Sequence, residues 1–284
     1  MSFIIFNGDI TDRQNAKVDI EDRGYQFGDG IYEVVRIYNG HPFALTAHIE
    51  RFFESAAKIQ MDISYSKEKI ESLIYALLDK EGKSTASLYL QYSRGISVRN
   101  HVIPKNINGT LVGYLLDGER PVALMENGVS AIIAADTRWL HCDIKSISLL
   151  GNILAKSKAV EAGCTEAILH RDQIVTEGSS TNIWIVQDGE LITHPANNLI
   201  LNGITRQQLI MIATQHDMPY TEKSFTVTEL LHADEVFLTS TTLEIVPITI
   251  IDGKKIGNGK PGAITKELQK LFTLSIEAEC GLLV

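Results

Sequence analysis

Apolar and polar positions alternate in three places around an Asn-Gly or Asp-Gly pair. The three stretches are EVVRIYNGHPFAL, IWIVQDGELIT and ITIIDGKKI. Each pair tolerates the positive φ angles of a two-residue hairpin turn, so each stretch predicts two antiparallel strands. The first stretch lies near the N-terminus and the other two in the second half. Antiparallel strands are therefore expected in both halves of the chain.

Elsewhere the apolar spacing changes to that of helices. LTAHIERFFESAAKI places its apolar residues on one helical face, and SKEKIESLIYALLDKEG runs from a Ser66 cap to a Gly82 stop. Four more helices are predicted in the second half, one of them starting at a capping box of Thr226 and Glu229. Their expected ranges are about 149–162, 204–215, 227–232 and 262–277. The pattern predicts a mixed α/β (α+β) protein.

The turn-rich stretch LLDGERPVALMENG, residues 115–128, separates a β-rich run from the strand-like run VSAIIAAD. Such stretches are typical of domain junctions. We expect an N-terminal domain at 1–116, a linker at 117–121 and a C-terminal domain at 122–284. A chain of 284 residues can bury a sizeable core without disulfides or structural metals.

Charge and cysteine content narrow the class of protein. The formal charge of −9, without a cluster of lysine and arginine, argues against a nucleic-acid partner. Cys142, Cys164 and Cys280 are odd in number and lack C-x-x-C spacing, which disfavours a disulfide framework and a thiolate zinc site. No segment approaches about 18 consecutive apolar residues, and the N-terminal run has no basic start. We expect a cytoplasmic protein without a membrane span.

One lysine, Lys145, interrupts an apolar run in CDIKSISLLGNILAK, whose pattern predicts a buried face. The apolar neighbours are Ile144, Ile147, Leu149, Leu150, Ile153 and Leu154. A lysine beside apolar residues usually lays its stem along them and keeps its ammonium in water. A lysine that attacks a carbonyl must instead be neutral, which burial favours. This stretch alone leaves both interpretations open.

Three further stretches could bind a small ligand. In VTEGSSTN, Glu177 precedes a turn that carries Ser179 and Ser180. In LNGITR, a glycine before a helix leaves the N–H groups of Ile204 and Thr205 available for an anion. In FLTSTT, hydroxyl residues follow a buried-looking strand, among them Ser240, Thr241 and Thr242. Each stretch also has an ordinary interpretation as a solvated loop, a helix start or a polar turn.

Two basic patterns remain. In RGISVRNH, Arg99 and His101 lie two residues apart, so in an extended segment both would point to one side and could bind a carboxylate. An exposed basic loop would look the same. Arg51, on the first predicted helix, suits a phosphate or a surface salt bridge. A lysine, a carboxylate and helix-start N–H groups together match the aldehyde, ring nitrogen and phosphate of pyridoxal phosphate.

Six blocks of the sequence resemble those of the family of fold-type IV pyridoxal-phosphate aminotransferases, and in particular of its D-amino-acid-specific members. The blocks occur in the same order and with similar spacing along essentially the whole chain. The blocks are EDRGYQFGDGIYEVVRIYNG, RGISVRNH, WLHCDIKSISLLGNILAK, EAILHRDQIVTEGSSTN, NGITR and TSTT. The resemblance implies a smaller N-terminal α/β domain and a larger C-terminal domain with a β-barrel-like sheet and helices. It also implies a cofactor held between these domains and a site completed across a homodimer.

The resemblance also implies roles for single residues. Lys145 would form the Schiff base with pyridoxal 5'-phosphate and move the proton at the substrate Cα, and Glu177 would pair with the pyridine nitrogen. The remaining cofactor contacts would come from Arg51, Ser180, Leu201, Ile204, Thr205, Ser240 and Thr241. The substrate carboxylate would be bound by Tyr32, Arg99 and His101, the last two from the neighbouring subunit.

The implied reaction is a ping-pong transamination that converts D-alanine and 2-oxoglutarate to pyruvate and D-glutamate, for cell-wall precursor synthesis. Two alternatives share the fold, an L-branched-chain aminotransferase and an aminodeoxychorismate lyase, and neither is expected to carry the Arg99 and His101 pattern. A third alternative is a catalytically silent scaffold that binds a small anion. Assays with D- and L-substrates and the absorbance of the bound cofactor would separate them.

Overall fold

A computed structural model describes residues 2–283, which form fifteen β-strands, eight α-helices and a 3-10 helix at Arg13–Asn15. The chain divides into two compact units. The first unit contains the chain up to Glu119, the segment Ile144–Ser148 and the chain from Glu277 onwards. The second unit contains Arg120–Asp143 and Leu149–Ile276.

The first unit is an antiparallel sheet with two long helices. Its strands are β1 (Phe3–Phe6), β2 (Asp9–Asp12), β3 (Gly30–Tyr38), β4 (His41–Pro42), β5 (Ala86–Ser93) and β6 (Thr110–Leu116). Its helices are α1 (Arg23–Phe27), α2 (Leu45–Lys58) and α3 (Lys67–Glu81). The strand order is β2-β1-β6-β5-β3-β4, and all neighbours are antiparallel. Helix α2 packs on β3, and α3 packs on β1 and β2.

The core of the first unit lies between these helices and the sheet. The buried side chains include Ile5, Ile31, Val35, Phe52, Ile70, Ile74, Leu77 and Leu88. Full burial of such a side chain contributes about 1.5–3 kcal/mol to folding. The predicted limits of α3 are confirmed: the Ser66 hydroxyl accepts a hydrogen bond from Lys69 N, and Gly82 ends the helix at a φ of +64°.

The second unit is built on a mixed sheet. Its strands are β7 (Val129–Ala135), β8 (Glu166–Arg171), β9 (Ile174–Gly178), β10 (Asn182–Gln187), β11 (Glu190–Thr193), β12 (Tyr220–Glu222), β13 (Glu235–Ser240), β14 (Glu244–Ile251) and β15 (Lys254–Lys255). Their order is β12-β11-β10-β13-β14-β7-β8-β9, with β15 beside β14. The pairs β11–β12, β14–β7 and β7–β8 are parallel, and the others are antiparallel.

Five helices follow β6 along the chain: α4 (Val122–Asn127), α5 (Leu150–Glu161), α6 (Ile204–Gln215), α7 (Val227–His232) and α8 (Ala263–Cys280). The predicted helices are confirmed to within a few residues, and the capping box of Thr226 and Glu229 is present. The three predicted hairpins are also confirmed. Their turn residues all have positive φ, for example +51° at Asn39 and +79° at Gly40. The predicted mixed α and β class is therefore confirmed.

The turn-rich stretch 115–128 contains a short helix, since Val122–Asn127 forms α4 directly after Pro121. One expectation from the apolar pattern is wrong. The apolar face expected around Lys145 is only partly buried: Ile144 is buried, but Leu150, Ile153 and Leu154 are 69%, 56% and 55% exposed. The helical spacing predicts that apolar side chains share one face of α5, but it does not predict whether another element covers that face. Across residues 2–283, no helix is both long and apolar enough to span a bilayer.

Candidate active site

The segment that carries Lys145 lies along the start of β3. Tyr32 N donates to the Lys145 carbonyl at 3.0 Å, and Ile147 N donates to the Gly30 carbonyl at 3.0 Å. A Cβ on Gly30 would lie 2.8 Å from the Tyr92 carbonyl oxygen, so the close approach of these backbones requires glycine. Lys145 N also donates to the Ser55 hydroxyl at 3.3 Å. The lysine is thereby fixed to the first unit at both its backbone polar groups.

The Lys145 side chain is half-buried and lies over an aromatic ring. Its Nζ is 4.2 Å from the centroid of Tyr32, which stacks on Tyr89 at 5.7 Å. Burial raises the pKa of the Tyr89 phenol well above its usual range, and this neutral hydroxyl donates to Gln91 Oε1 at 2.7 Å. Two residues that the sequence analysis singled out for different roles, Lys145 and Tyr32, are therefore in direct contact.

Arg51 binds a buried carboxylate, that of Glu33 on β3. Arg51 Nε and Nη2 donate to the two Glu33 oxygens at 2.7 and 2.9 Å, and His48 Nδ1 lies 2.7 Å from Oε2. Burial raises the pKa of Glu33, but the combined effect of Arg51 and His48 is larger and lowers the pKa far below its usual range. Burial also lowers the pKa of His48, against the effect of Glu33. Arg51 is thus a fixed cation paired with an ionised Glu33.

Glu33 is not among the site residues expected from the sequence, although a signal was available. In a strand, residues two apart share a face. Glu33 has the same parity as Ile31, Val35 and Ile37, all of which are buried. A carboxylate in such a row predicts a buried cation, and Arg51 and His48 lie three residues apart on the buried face of α2.

Glu33→Gln is expected to lower the free energy of unfolding by about 3–5 kcal/mol, because it leaves the Arg51 guanidinium buried without its countercharge. Folding lowers the pKa of Glu33, so the ionised carboxylate stabilises the folded state fully above pH 4.5, the ordinary pKa of a glutamate. This stabilisation is lost as the pH falls towards the pKa of Glu33 in the folded state. Urea unfolding at pH 7 measures the loss. The exposed neighbour Glu50→Gln is the control and is expected to stay within about 0.5 kcal/mol. An equally small effect at Glu33 would contradict the prediction.

In the second unit, Glu177 lies buried at the end of β9. Its Oε1 accepts from Arg138 Nη1, and its Oε2 accepts from Leu201 N at 3.0 Å and Asn182 Nδ2 at 3.1 Å. Burial raises the pKa of Glu177, and Arg138 and the Leu201 N–H partly offset this, giving a value of about 7. The carboxyl group is therefore able to share a proton with a basic nitrogen near neutral pH.

Arg138 is held in place by a second carboxylate. Its Nε and Nη2 donate to Asp136 at 2.9 and 2.8 Å, and Asp136 also accepts from Arg171 Nε at 3.2 Å and the Thr176 hydroxyl at 3.0 Å. Burial raises the pKa of Asp136, but the hydrogen bonds from Arg138 and Arg171 lower it to about 2. Burial lowers the Arg138 pKa, while Asp136 and Glu177 raise it above its usual range. This charged network is not among the features expected from the sequence; the D-x-R spacing of Asp136 and Arg138 after β7 was the available signal.

The start of α6 lies next to Glu177. Asn182, whose side chain contacts Glu177, also donates to the Leu201 carbonyl at 2.8 Å. A Cβ on Gly203 would lie 2.2 Å from Asn182 Oδ1, so only glycine fits at this N-cap. Within residues 2–283, no side chain caps the helix, which leaves the N–H groups of Ile204 and Thr205 for another acceptor. The structure thus brings Glu177, Leu201 and the helix start together.

The hydroxyl residues lie at the same end of the sheet. Asn182 pairs with Thr239, so Ser240, the last residue of β13, and Thr241, in the turn that follows, adjoin the turn before β10 that carries Ser180. The latter turn is fixed by the buried Glu166, which accepts from Ser179 and, at 3.0 Å, from the Thr181 hydroxyl. Ser180 itself is exposed.

Arg99 and His101 are exposed on the segment between β5 and β6. The predicted shared direction of the two side chains required an extended segment. Residues 98–99 and 101–102 form bends, and none of residues 98–102 belongs to a strand. Both side chains nevertheless contact one ring, that of Phe27: the Arg99 guanidinium carbon lies 4.8 Å from its centroid, and the His101 ring lies 5.5 Å away. The two residues therefore meet through Phe27.

Known proteins are similar to this chain in sequence. Residues 30–251 match the family model described as Amino-transferase class IV. The D-alanine aminotransferase of Listeria monocytogenes serovar 1/2a is 50% identical over 284 residues, 99% of this chain and 98% of that protein. That of Bacillus licheniformis is 47% identical over 276 residues, 97% of this chain and 98% of that protein.

A solved structure of an aminotransferase has the same fold as this chain. The branched-chain amino acid aminotransferase of T.th., in its structure with pyridoxamine 5'-phosphate, is 27% identical and has a TM-score of 0.91, with 99% of this chain and 94% of that chain covered. The family model spans most of the sequence, and relatives about half identical match it from end to end. The chain is therefore a member of the class IV aminotransferase family.

Proposed function

We propose that this aminotransferase uses pyridoxal 5'-phosphate to transfer the amino group of D-amino acids, such as D-alanine, to 2-oxo acids, such as 2-oxoglutarate, in a ping-pong reaction. The observation that carries this proposal is the group around Glu177. A buried carboxyl, an uncapped helix start and two hydroxyl turns meet there. The D-alanine aminotransferases that match this chain almost end to end support the substrate class.

The residues of the second unit fit the polar groups of the cofactor. A pyridine nitrogen requires a partner that can share a proton, and the Glu177 carboxyl, with a pKa of about 7, is one. A phosphate requires several N–H and hydroxyl donors, which the start of α6 and the turns around Ser180 and Ser240 offer. Gly203 lets the Asn182 side chain lie against the start of α6, because a Cβ at this position would be 2.2 Å from Asn182 Oδ1.

Each residue then has a role. When bound, pyridoxal phosphate supplies an aldehyde that reacts with amines and a ring that accepts the electron pair from the substrate Cα. Lys145 Nζ holds the aldehyde between turnovers and removes the proton from the substrate Cα. Glu177, backed by Arg138, holds the proton at the ring nitrogen. The proposed phosphate and ring contacts are Arg51, Ser180, Leu201, Ile204, Thr205, Ser240 and Thr241.

Tyr32, Arg99 and His101 bind the substrate carboxylate in this proposal. Arg99 supplies a planar fork of N–H donors, and His101 adds a further donor. We assign the two residues to the site of the neighbouring subunit, so the proposed active form is a homodimer. The exposure of both side chains in the single chain supports this assignment.

An L-branched-chain aminotransferase is the second candidate. The similarity to the branched-chain enzyme solved with pyridoxamine 5'-phosphate favours it, since that fold agrees over 99% of this chain. The pair Arg99 and His101 on Phe27 favours the D-specific candidate. The handedness of the accepted substrate decides between the two.

The first experiment is the visible absorbance spectrum of the purified protein supplied with pyridoxal phosphate. A band of protein-bound cofactor that D-alanine bleaches, and that L-alanine and L-leucine leave intact, is the expected result. Bleaching by the L-amino acids alone would retain the cofactor and reject the D-specific assignment. A spectrum without any bound-cofactor band would reject the enzymatic proposal and leave a scaffold that binds small anions.

We also propose a place for the reaction. Cys142, Cys164 and Cys280 are free thiols within the described chain, which suits the reducing cytosol. The products, D-glutamate in one direction and D-alanine in the other, are suited to the supply of cell-wall precursors.

A further inference from the structure

Three side chains contact the ring of Phe27, the last residue of α1. The guanidinium carbons of Arg99 and Arg23 lie 4.8 and 4.9 Å from the ring centroid. The His101 ring centroid is 5.5 Å away, with its plane tilted by 53°. Arg23 is buried, whereas Arg99 and His101 are exposed. The aromatic ring thus joins two exposed side chains to a buried cationic one.

Arg23 also fixes the backbone between the two exposed side chains. Its Nη1 donates to the carbonyl of Asn100 at 2.6 Å, and Asn100 is the residue that separates Arg99 from His101. Its Nε donates to Asp29 Oδ2 at 2.8 Å, and its backbone N donates to the Gly95 carbonyl at 2.9 Å. One buried guanidinium therefore links α1, Asp29 and the middle of the segment 94–109.

The first residue of that segment, Arg94, is fixed by its side chain. Arg94 donates through Nε to both oxygens of Asp29, at 2.8 and 3.0 Å, and through its other nitrogens to the carbonyls of Ile59 and Gln60 at 2.8 Å each. Burial raises the pKa of Asp29, but Arg94 and Arg23 lower it below its usual value, so the carboxylate is charged.

A second carboxylate, that of the buried Asp22, joins the two strands that flank the segment 94–109. It accepts from the hydroxyls of Ser93 and Thr110 at 2.8 and 2.7 Å, the last residue of β5 and the first of β6. The segment is therefore fixed at its base and at Asn100, although its side chains at Val98 and Val102 are 79% and 71% exposed.

A long exposed arginine loses much rotamer freedom when it binds a carboxylate. Contact of the guanidinium with an aromatic face restricts that freedom before the substrate arrives, and it holds the group in one plane. A fixed backbone on either side serves the same purpose, because a binding group must be held close to its productive geometry.

We propose that Phe27 and Arg23 are positioning residues for the substrate carboxylate, through Arg99 and His101. Phe27 orients both side chains, and Arg23, held by Asp29, fixes the carbonyl between them. The inference rests on the proposed function, since it assumes that Arg99 and His101 bind a substrate carboxylate. It assigns to α1 an effect on substrate affinity that does not involve contact with the substrate.

The test is steady-state kinetics of Phe27→Leu with the cofactor-loaded enzyme. The KM for D-alanine is expected to rise about tenfold, while kcat stays within about twofold, because leucine fills similar space without an aromatic face. The inhibition constant of propanoate, a carboxylate without an amine, is expected to rise in parallel. Phe27→Tyr, which keeps the face, is expected to restore both values.

Phe3→Leu is the matched control, because Phe3 in the same unit also has a cation over its ring, Lys80 Nζ at 4.7 Å. It is expected to leave the KM for D-alanine unchanged. If Phe27→Leu does not fold, Arg23→Lys keeps the charge opposite Asp29 with a shorter reach to the Asn100 carbonyl, and the same rise in KM is expected.

A double variant distinguishes positioning from general damage. In the Arg99→Ala background, Phe27→Leu is expected to lower kcat/KM by clearly less than the tenfold loss that it causes in the wild type, because one of the two groups that it orients is gone. Independent, multiplying effects would overturn the inference, as would an unchanged KM in Phe27→Leu when the wild type is active. A wild type inactive towards D-alanine would overturn both this inference and the proposed function.

Discussion

Lys145→Ala is expected to reduce the turnover of D-alanine and 2-oxoglutarate by about 10⁴-fold or more, the upper range for a positioned acid-base residue. The variant lacks both the amine that holds the aldehyde and the base that removes the Cα proton. Cofactor binding is expected to persist, because the proposed phosphate donors belong to other residues. Pyruvate release measures turnover, and cofactor absorbance after gel filtration measures binding.

Lys158→Ala is the matched control for this experiment, since Lys158 is an exposed lysine on α5. Its turnover is expected to equal that of the wild type. Near-normal turnover in Lys145→Ala would remove Lys145 from the mechanism. Loss of the cofactor together with turnover would show instead that the lysine is needed for cofactor retention, contrary to the proposed division of roles.

Arg99→Ala is expected to lower kcat/KM for D-alanine by about 30-fold to several thousandfold, equivalent to the 2–5 kcal/mol typical of losing one partner of a desolvated charge pair. The effect is expected mainly in KM, because Arg99 binds the substrate carboxylate in both the ground state and the transition state. Initial rates over a range of D-alanine concentrations give both constants.

Lys105→Ala serves as the control for charge, because Lys105 is an exposed cation on the same segment between β5 and β6. It is expected to keep the wild-type KM. If Arg99→Ala changes cofactor affinity but not the KM for D-alanine, the carboxylate assignment is wrong. An equal loss in both variants would indicate a general electrostatic effect rather than a specific contact.

Local signals predicted much of the fold. Asn-Gly and Asp-Gly turns, the Ser66 cap, the Gly82 stop and the Thr226 capping box each depend on neighbouring residues only, and each is present in the structure. Helix α1 was missed because it has five residues and its first N–H bonds to the distant Gly95 carbonyl. An element that depends on such tertiary contacts has little pattern of its own.

The sequence identified residues that bear the chemistry but not those that hold them. Glu177 and Arg51 could be singled out by residue type and by resemblance. Their partners Arg138 and Glu33 lie 39 and 18 residues away in sequence, and no local spacing links them. Phe27 was also missed, because an aromatic residue at a helix end is ordinarily packing. Buried charge pairing is a tertiary property: a local signal can predict that Glu33 has a buried partner, but the structure was needed to identify that partner.

The first unit is assembled from three separate parts of the chain, and this has a consequence for biosynthesis. Its sheet and helices have left the ribosome soon after Glu119 is made, but the strip that lines β3 comes later, at Ile144–Ser148. The last contacts, such as those of Asn39 with the carbonyl of Cys280 and of Ala44 N with Glu279, require nearly the whole chain. At ordinary elongation rates the nascent unit stays incomplete for on the order of ten to thirty seconds. In the first part of that time, on the order of one to six seconds before Ile144–Ser148 is made, the edge of β3 beside Gly30 and Tyr32 is exposed to chaperones and to other nascent chains.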